Sequence, residues 1–402
     1  MGRNKKKFLL LPMFFAIYSF GFAQTFKNYS LSADFIYGEI LKHNKHLENL
    51  VKGPLKGGEF SIEWQTMGEK AWHQYLNFPS IGISTAFLDF SHPDTLGYAV
   101  ALYPYLKFPI IRQQHFNMAF KAGGGLSYVT KTFYNATAYH PDGSVYLNKS
   151  NAAIGSHVNV YLTANLNMEI PLTKGWSITS NWGWNHTSNG SIVQPNSGIN
   201  MLDMYLGIKY FPNYERYIPP KPQPLPDLPH KIEIEMALTG GIRQLYYKDD
   251  KTYPIGTFNI AAYRTMTNFY RMGWGADLFY DGVFNGKSAF KRTYLTTDEL
   301  KYKLRIGASF RHELLVGRLT TGFHFGLYLY NPVKNLEPYE EAKNGTLNKP
   351  LIYKYNIEKE DGWFYTKAVL KYALDEHFLL SLGLKTHLQK AEFIDAGIGY
   401  KF

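Results

Sequence analysis

Cysteine is absent from all 402 residues, so neither a disulfide framework nor a lipid-modified cysteine holds this chain. Beyond the N-terminal segment no apolar run reaches the roughly 18–20 residues that a membrane-spanning helix needs. Blocks of like charge are missing as well. The formal charge of +11 is scattered, which argues against a nucleic-acid partner and suits either a solvated surface or a basic rim beside anionic lipid headgroups. Arg3, Lys5, Lys6 and Lys7, the apolar run FLLLPMFFAIYSFGF and then Ala23-Gln24 have the tripartite form of a secretory signal with cleavage near Ala23. Removing those four cations from +11 leaves +7.

What the chain has in abundance is aromatic residues, at 17%, with 32 Tyr and 28 Phe beside 35 Gly. Its segments alternate apolar and polar residues at period two, and many are long enough to cross a bilayer when tilted. An exported, alternating, aromatic-rich and helix-free chain reads as an all-β protein, an antiparallel β-barrel of the bacterial outer membrane, with a soluble β-sandwich as the alternative. Strands are expected over residues 30–41, 58–67, 80–90, 97–108, 114–130, 153–170, 175–186 and 198–211. The connections after the second, fourth and sixth are brief (76–79, 110–112 and 171–174), whereas the fifth strand leads into the long polar stretch 134–150. Short turns on one side and long loops on the other are the habit of outer-membrane barrels, and this parity puts the loop 189–197 at the extracellular end.

Residues 212–230, PNYERYIPPKPQPLPDLPH, contain seven prolines and cannot form a strand interior. They read as a stiff, extended periplasmic linker. Alternation then restarts with Ile232, Ile234, Met236 and Leu238, and further strands are expected over 253–265, 268–282, 301–316, 318–331, 362–374, 377–387 and 392–402, making eight again. Connections 265–268, 317 and 375–376 are short, and 283–299 and 332–361 long. Ala396, Ile398, Tyr400 and Phe402 close the chain on one face. The expected organisation is a signal over 1–24, an eight-stranded barrel over 25–213, the linker over 214–230 and a second eight-stranded unit over 231–402. One sixteen-stranded barrel is the alternative.

Chemistry gathers in residues 175–211, GWSITSNWGWNHTSNGSIVQPNSGINMLDMYLGIKYF. Trp176, Ile178, Ser180, Trp182, Trp184, His186 and Ser188 share one strand face, largely apolar, and Ser177, Thr179, Asn181, Gly183, Asn185 and Thr187 share the polar one. After the turn the apolar face resumes with Asn200, Leu202, Met204, Leu206, Ile208 and Tyr210. A hairpin would bring Asn200 beside His186 and Ser188 on the outside of the sheet. Ester hydrolysis needs a nucleophile, a base, a group that orients the base and donors for an oxyanion. Ser188, His186 and Asn200 fit the first three roles, and the backbone N–H groups of Asn189 and Gly190 are the expected oxyanion donors. His-x-Ser alone is a weak motif, and an ordinary pair in the interfacial belt is the competing reading.

The run His186-Thr-Ser188-Asn189-Gly190, then Gln194-Pro195-Asn196 and Gly198-Ile199-Asn200, resembles the signature of the lipid A 3-O-deacylase family. That resemblance implies a small eight-stranded outer-membrane barrel carrying the signature in its final hairpin, with His186 as base, Ser188 as nucleophile and an ester-linked acyl chain of lipid A as substrate. It offers no counterpart for residues 231–402. The family's third member is typically Glu, where this chain has Asn200. In that respect the run from Asn185 to Gly190 is similar to outer-membrane phospholipase A, a calcium-dependent enzyme with an Asn in its triad, although the segment 191–197 does not place Arg and Ser at the corresponding positions. A phospholipid is thus the second candidate substrate, and a non-catalytic porin or scaffold the reading from another class. No cofactor or metal is expected, no oligomeric state is assigned, and His312, His324 and His387 are expected as belt or lumen residues of a membrane scaffold.

Overall fold

The computed structural model describes residues 28–42, 45–216, 220–225, 231–247, 251–284, 299–332, 352, 354, 362–387 and 390–402. The expected signal segment lies outside the described residues, as does most of the loops 283–299 and 332–361.

Period-two alternation builds each long strand. The first half forms β1 (Tyr29–Ile40), β2 (Leu55–Gln65), β3 (Ser80–Asp89), β4 (Tyr98–Arg112), β5 (Asn117–Val129), a small hairpin of β6 (Thr137–Tyr139) and β7 (Val145–Leu147), then β8 (Val158–Thr173), β9 (Trp176–Ser188) and β10 (Ile199–Tyr210). Without the small hairpin these close into an eight-stranded antiparallel barrel, sealed where β1 pairs β10 from Leu31↔Tyr210 to Ile40↔Met201. The second half forms β11 (Ile232–Arg243), β12 (Tyr253–Thr267), β13 (Tyr270–Asp281), β14 (Leu304–Val316), β15 (Leu319–Tyr330), β16 (Phe364–Ala373), β17 (Phe378–His387) and β18 (Lys390–Lys401). It closes separately, β11 pairing β18 from Glu235↔Lys401 to Gly240↔Ala396. Two seams rule out the sixteen-stranded alternative, because each half satisfies its own edge strands.

Local details differ from expectation. Residues 153–157, expected as strand, precede β8, and Ala153 and Ile154 are instead buried in the apolar cluster of the first barrel. The expected turns 110–112 and 171–173 continue β4 and β8, which leaves tighter connections. The chain is not helix-free: single turns α1 (Lys45–Glu48), α2 (Ala71–Tyr75) and α3 (Leu300–Lys303) sit in connections, and α3 takes Lys301 from the expected strand. Beyond the strand ends water can satisfy the unpaired groups of so short a helix.

Each lumen is filled rather than open, as expected of eight strands. In the first barrel Lys121 donates to Glu59 (2.5 Å), Lys107 pairs Glu63 (2.6 Å), and Lys209 bridges Glu63 and Glu169 (3.1 and 2.9 Å). Toward the long-loop end Ile36, Leu88, Tyr103, Tyr161, Met201 and Tyr205 belong to one buried apolar cluster. In the second barrel Glu313, with 0% of its surface exposed, accepts from Tyr263 (2.9 Å), Arg271 (2.8 Å), His324 (3.1 Å) and Lys371 (2.7 Å), while Glu235 accepts from Arg271 (2.7 Å) and Lys371. Side chains from six strands thus meet across that lumen, and His324 is one of them. The barrels lie side by side with their long loops at the same end, since β10 and β11 both meet the linker at the short-turn end. There Gln223 N–H donates to Gln74 Oε1 (3.0 Å), and Gly317 of the β14–β15 turn packs on the Trp72 ring.

Removing one partner from a buried ion network strands the others, typically at about 3–5 kcal/mol. We expect Glu313→Ala to lower the stability of the detergent-folded chain by about that much in urea titration, and Glu233→Gln, at the half-exposed rim of the same network, to cost under about 1 kcal/mol.

Candidate active site

The β9–β10 hairpin carries the candidate residues, and its inward side chains hold it in place. Asn185 Nδ2 donates to Asp203 Oδ2 (2.7 Å) and Tyr205 Oη (3.0 Å), and the Thr187 and Ser127 hydroxyls share a 2.5 Å hydrogen bond. With residues 185 and 187 anchored in the lumen, the pleat turns 184, 186 and 188 outward. The register sets Asn200 directly opposite His186 on β10, while on β8 Leu162 faces His186 and Val160 faces Ser188.

The outward side chains converge. His186 Nε2 lies 2.8 Å from Ser188 Oγ, and His186 Nδ1 lies 2.7 Å from Asn200 Oδ1. An amide oxygen can only accept, so Asn200 receives the Nδ1–H and Nε2 is left to accept from the serine hydroxyl. The Trp184 indole stacks on the imidazole with centroids 5.5 Å apart and planes 12° from parallel. Exposure departs from expectation at one point. Ser188 sits on the outer wall yet is only 8% exposed, because the loop after it folds back over the site. Gly198 in that loop has φ 74°, and a Cβ there would lie 2.7 Å from His186 Cε1 and 3.2 Å from Ser188 Cβ. The position therefore takes glycine for both its backbone and its space.

The two backbone N–H groups expected as oxyanion donors are placed differently. The Asn189 N–H donates to Asn196 Oδ1 (3.1 Å), so it is engaged within the loop. The Asn189 side chain is also spent, its Nδ2 bonding Ser156 Oγ and Val193 O (both 2.9 Å). The Gly190 N–H has no acceptor among the described residues. Asn196 Nδ2 is buried and also lacks a partner there, an arrangement that costs free energy unless a ligand oxygen completes it. Asn196 was not singled out among the candidate residues above, although it stands in the Gln194-Pro195-Asn196 run. Its link to residue 189 arises only when the loop closes. Among the described residues no group of three or more His, Asp or Glu is gathered in a metal-binding arrangement.

Comparison with known proteins brings a name to this geometry. The family model described as lipid A 3-O-deacylase (PagL) matches residues 56–209. The second half, for which the sequence resemblance offered no counterpart, is matched by the model described as acyloxyacyl hydrolase, C-terminal domain, over residues 232–341 and 351–402. No curated protein matches the chain. Among solved structures, the outer membrane enzyme PagL is similar at 13% identity and a TM-score of 0.28, over 44% of this chain and 97% of its own. Neisserial surface protein A is similar at 10% identity and a TM-score of 0.29, over 45% and 96%. A mutant of the Rh. blastica porin covers 93% of this chain and 100% of its own at 7% identity and a TM-score of 0.18. Such scores align no individual side chains, and the assignment stands on the two family models, which between them take in most of both barrels. The chain belongs to the lipid A 3-O-deacylase family, and is a carboxylic ester hydrolase of the outer membrane.

Proposed function

We propose that this enzyme is a serine esterase that removes one ester-linked acyl chain from lipid A. The observation that supports the reading best is the unbroken relay from Asn200 through His186 to Ser188 on the outer wall, at the long-loop end. An outer-membrane barrel turns that end to the cell exterior, where lipid A fills the adjoining leaflet. A water-soluble substrate would find little reason for a site on the lipid-facing side.

In this reading His186 Nε2 takes the proton as Ser188 Oγ bonds to the acyl carbonyl carbon, and the carbonyl oxygen becomes an oxyanion. The Gly190 N–H and the Asn196 amide N–H receive that charge, so Asn196 replaces Asn189 in the pair expected from the sequence. Collapse expels the sugar oxygen, which leaves with the proton from His186, and Ser188 is acylated. Water then repeats the sequence on the acyl-enzyme and releases the fatty acid. Asn200 holds the imidazole in the tautomer that keeps the Nε2 lone pair toward Ser188. As a neutral amide it lends no charge to the imidazolium, so the relay is weaker than one ending in a carboxylate.

Ser188→Ala should lower kcat about 10³-fold or more while the chain still folds. Asn200→Ala is expected to cost about 10²-fold, whereas Asn200→Asp keeps the acceptor, adds charge and should hold kcat or raise it. For Asn196→Ala the expected loss in kcat is about 10²–10³-fold, as for other oxyanion donors; an unchanged kcat would remove Asn196 from the site. Substrate is decided by mass spectrometry of lipid A and of phospholipid incubated with the detergent-folded protein, with and without a calcium chelator. Lipid A short of one acyl chain, indifferent to the chelator, is the expected product. Lysophospholipid that disappears on chelation would instead make the enzyme a phospholipase.

A further inference from the structure

The loop that covers the candidate site is held from two directions. Its two ends are tied to its own barrel, Asn189 through Ser156 and the N–H groups of Ser197 and Gly198 through the carbonyls of Ala152 and Ala153. Between them Ser191 and Gln194 are tied to the other barrel, some 50 to 200 residues away in the chain. Ser191 Oγ donates to the carbonyl oxygen of Ala391 (2.6 Å), at the start of β18, and the Ser191 carbonyl accepts from the Gln244 N–H (2.9 Å), just past β11. The Gln194 N–H donates to Gln244 Oε1 (2.8 Å). Ser191 and Gln244 are both buried, so water does not compete for these bonds. Between Ser188 and Ser191, Gly190 packs directly on the side chains of Ile394 and Leu384, and a Cβ at residue 190 would collide with Ile394. Those two residues are cross-strand partners on β18 and β17. Their neighbours Asp395 and Lys385 bond into the lumen, so Ile394 and Leu384 face out of the second barrel toward the first.

Backbone conformation sharpens the point. Gly190 and Ser191 have φ of 59° and 71°. The left-handed region is costly for a serine, and a residue stays there only when its surroundings over-determine it. At Ser191 two of those surroundings, the acceptor of its hydroxyl and the donor to its carbonyl, belong to the second barrel. The residue that precedes it carries the N–H that has no acceptor among the described residues.

We propose that the second barrel is a positioning element of the esterase site: through Ser191, Gln244 and the wall residues Ile394 and Leu384, it fixes the direction of the Gly190 N–H toward the developing oxyanion. The inference rests on the reading of Ser188 and Gly190 given above. It assigns the second half a role that neither a pore nor a passive scaffold would have. Because the donor pair matters most in the transition state, loosening the loop lowers kcat and leaves KM nearly unchanged.

The test measures kcat and KM for lipid A release of fatty acid by the full chain in detergent, as wild type, Ser188→Ala, Ser191→Ala, Gln244→Met and Ile394→Ala. Ile394→Ala alters only an outward-facing wall residue and keeps the test informative if the loop variants fail to fold. Expected are losses in kcat of about 10- to 100-fold for Ser191→Ala and Gln244→Met, the size of effect a displaced catalytic group produces, and a smaller but clear loss for Ile394→Ala, with KM within about threefold throughout. Wild-type kcat in the folded variants, beside an inactive Ser188→Ala, would overturn the proposal and leave the esterase reading standing. A raised KM with kcat intact would also overturn it, placing these residues in substrate binding. Activity retained by Ser188→Ala would instead bring down the reading beneath it.

Discussion

Hydrocarbon offers a peptide group no hydrogen-bond partner, and the architecture follows from that constraint. Every strand must be paired on both sides, so each half of the chain closes on itself, β1 to β10 and β11 to β18. Closure with eight strands leaves a lumen only as wide as side chains, and polar residues at alternate positions fill it. Charges taken out of water must then be matched, which Glu313, Arg271 and Lys371 do in one barrel and Glu63, Lys107 and Lys209 in the other. The same alternation delivers the remaining positions to lipid, and this is the side on which the candidate site lies.

Polar groups on a lipid-facing wall are expensive unless they satisfy one another. His186, Ser188 and Asn200 do so in a single chain of hydrogen bonds, and the near-burial of Ser188 under its loop completes the shielding. What keeps this arrangement oriented is inside the barrel. Asn185 and Thr187, held by Asp203, Tyr205 and Ser127, lock the strand on either side of His186. A lumen that is a packed polar core therefore serves as the foundation of a site on the opposite face of the same sheet.

The two barrels are joined by more than the linker. Contacts at both ends, Trp72 with Gly317 at one and Phe133 with Tyr247 (5.1 Å) at the other, set them side by side. The loop after Ser188 enters the space between them and bonds to the second barrel on its far side. That arrangement gives a physical sense to the pairing of two family models in one chain, since neither barrel alone presents the complete surroundings of Gly190 and Ser191.

Much of this was readable in the sequence because period-two alternation is a local property. It marked the strands, the proline-rich break between two sets of eight and the common face of His186, Ser188 and Asn200, since residues two apart on a strand must project together. Strand ends were less legible at 110–112, 153–157 and 171–173, where pairing with a neighbour, not composition, decides how far the ladder runs. Tertiary structure alone decided the rest. Whether sixteen strands make one barrel or two depends on which edges meet, and the alternation is the same in either case. The Asn189 N–H bonds Asn196 Oδ1 while the Gly190 N–H meets no acceptor among the described residues, because a folded loop chooses its own hydrogen bonds. The contacts of Ser191 and Gly190 with Gln244, Ala391 and Ile394 join residues distant in the chain, and only the packing of one barrel on the other brings them together.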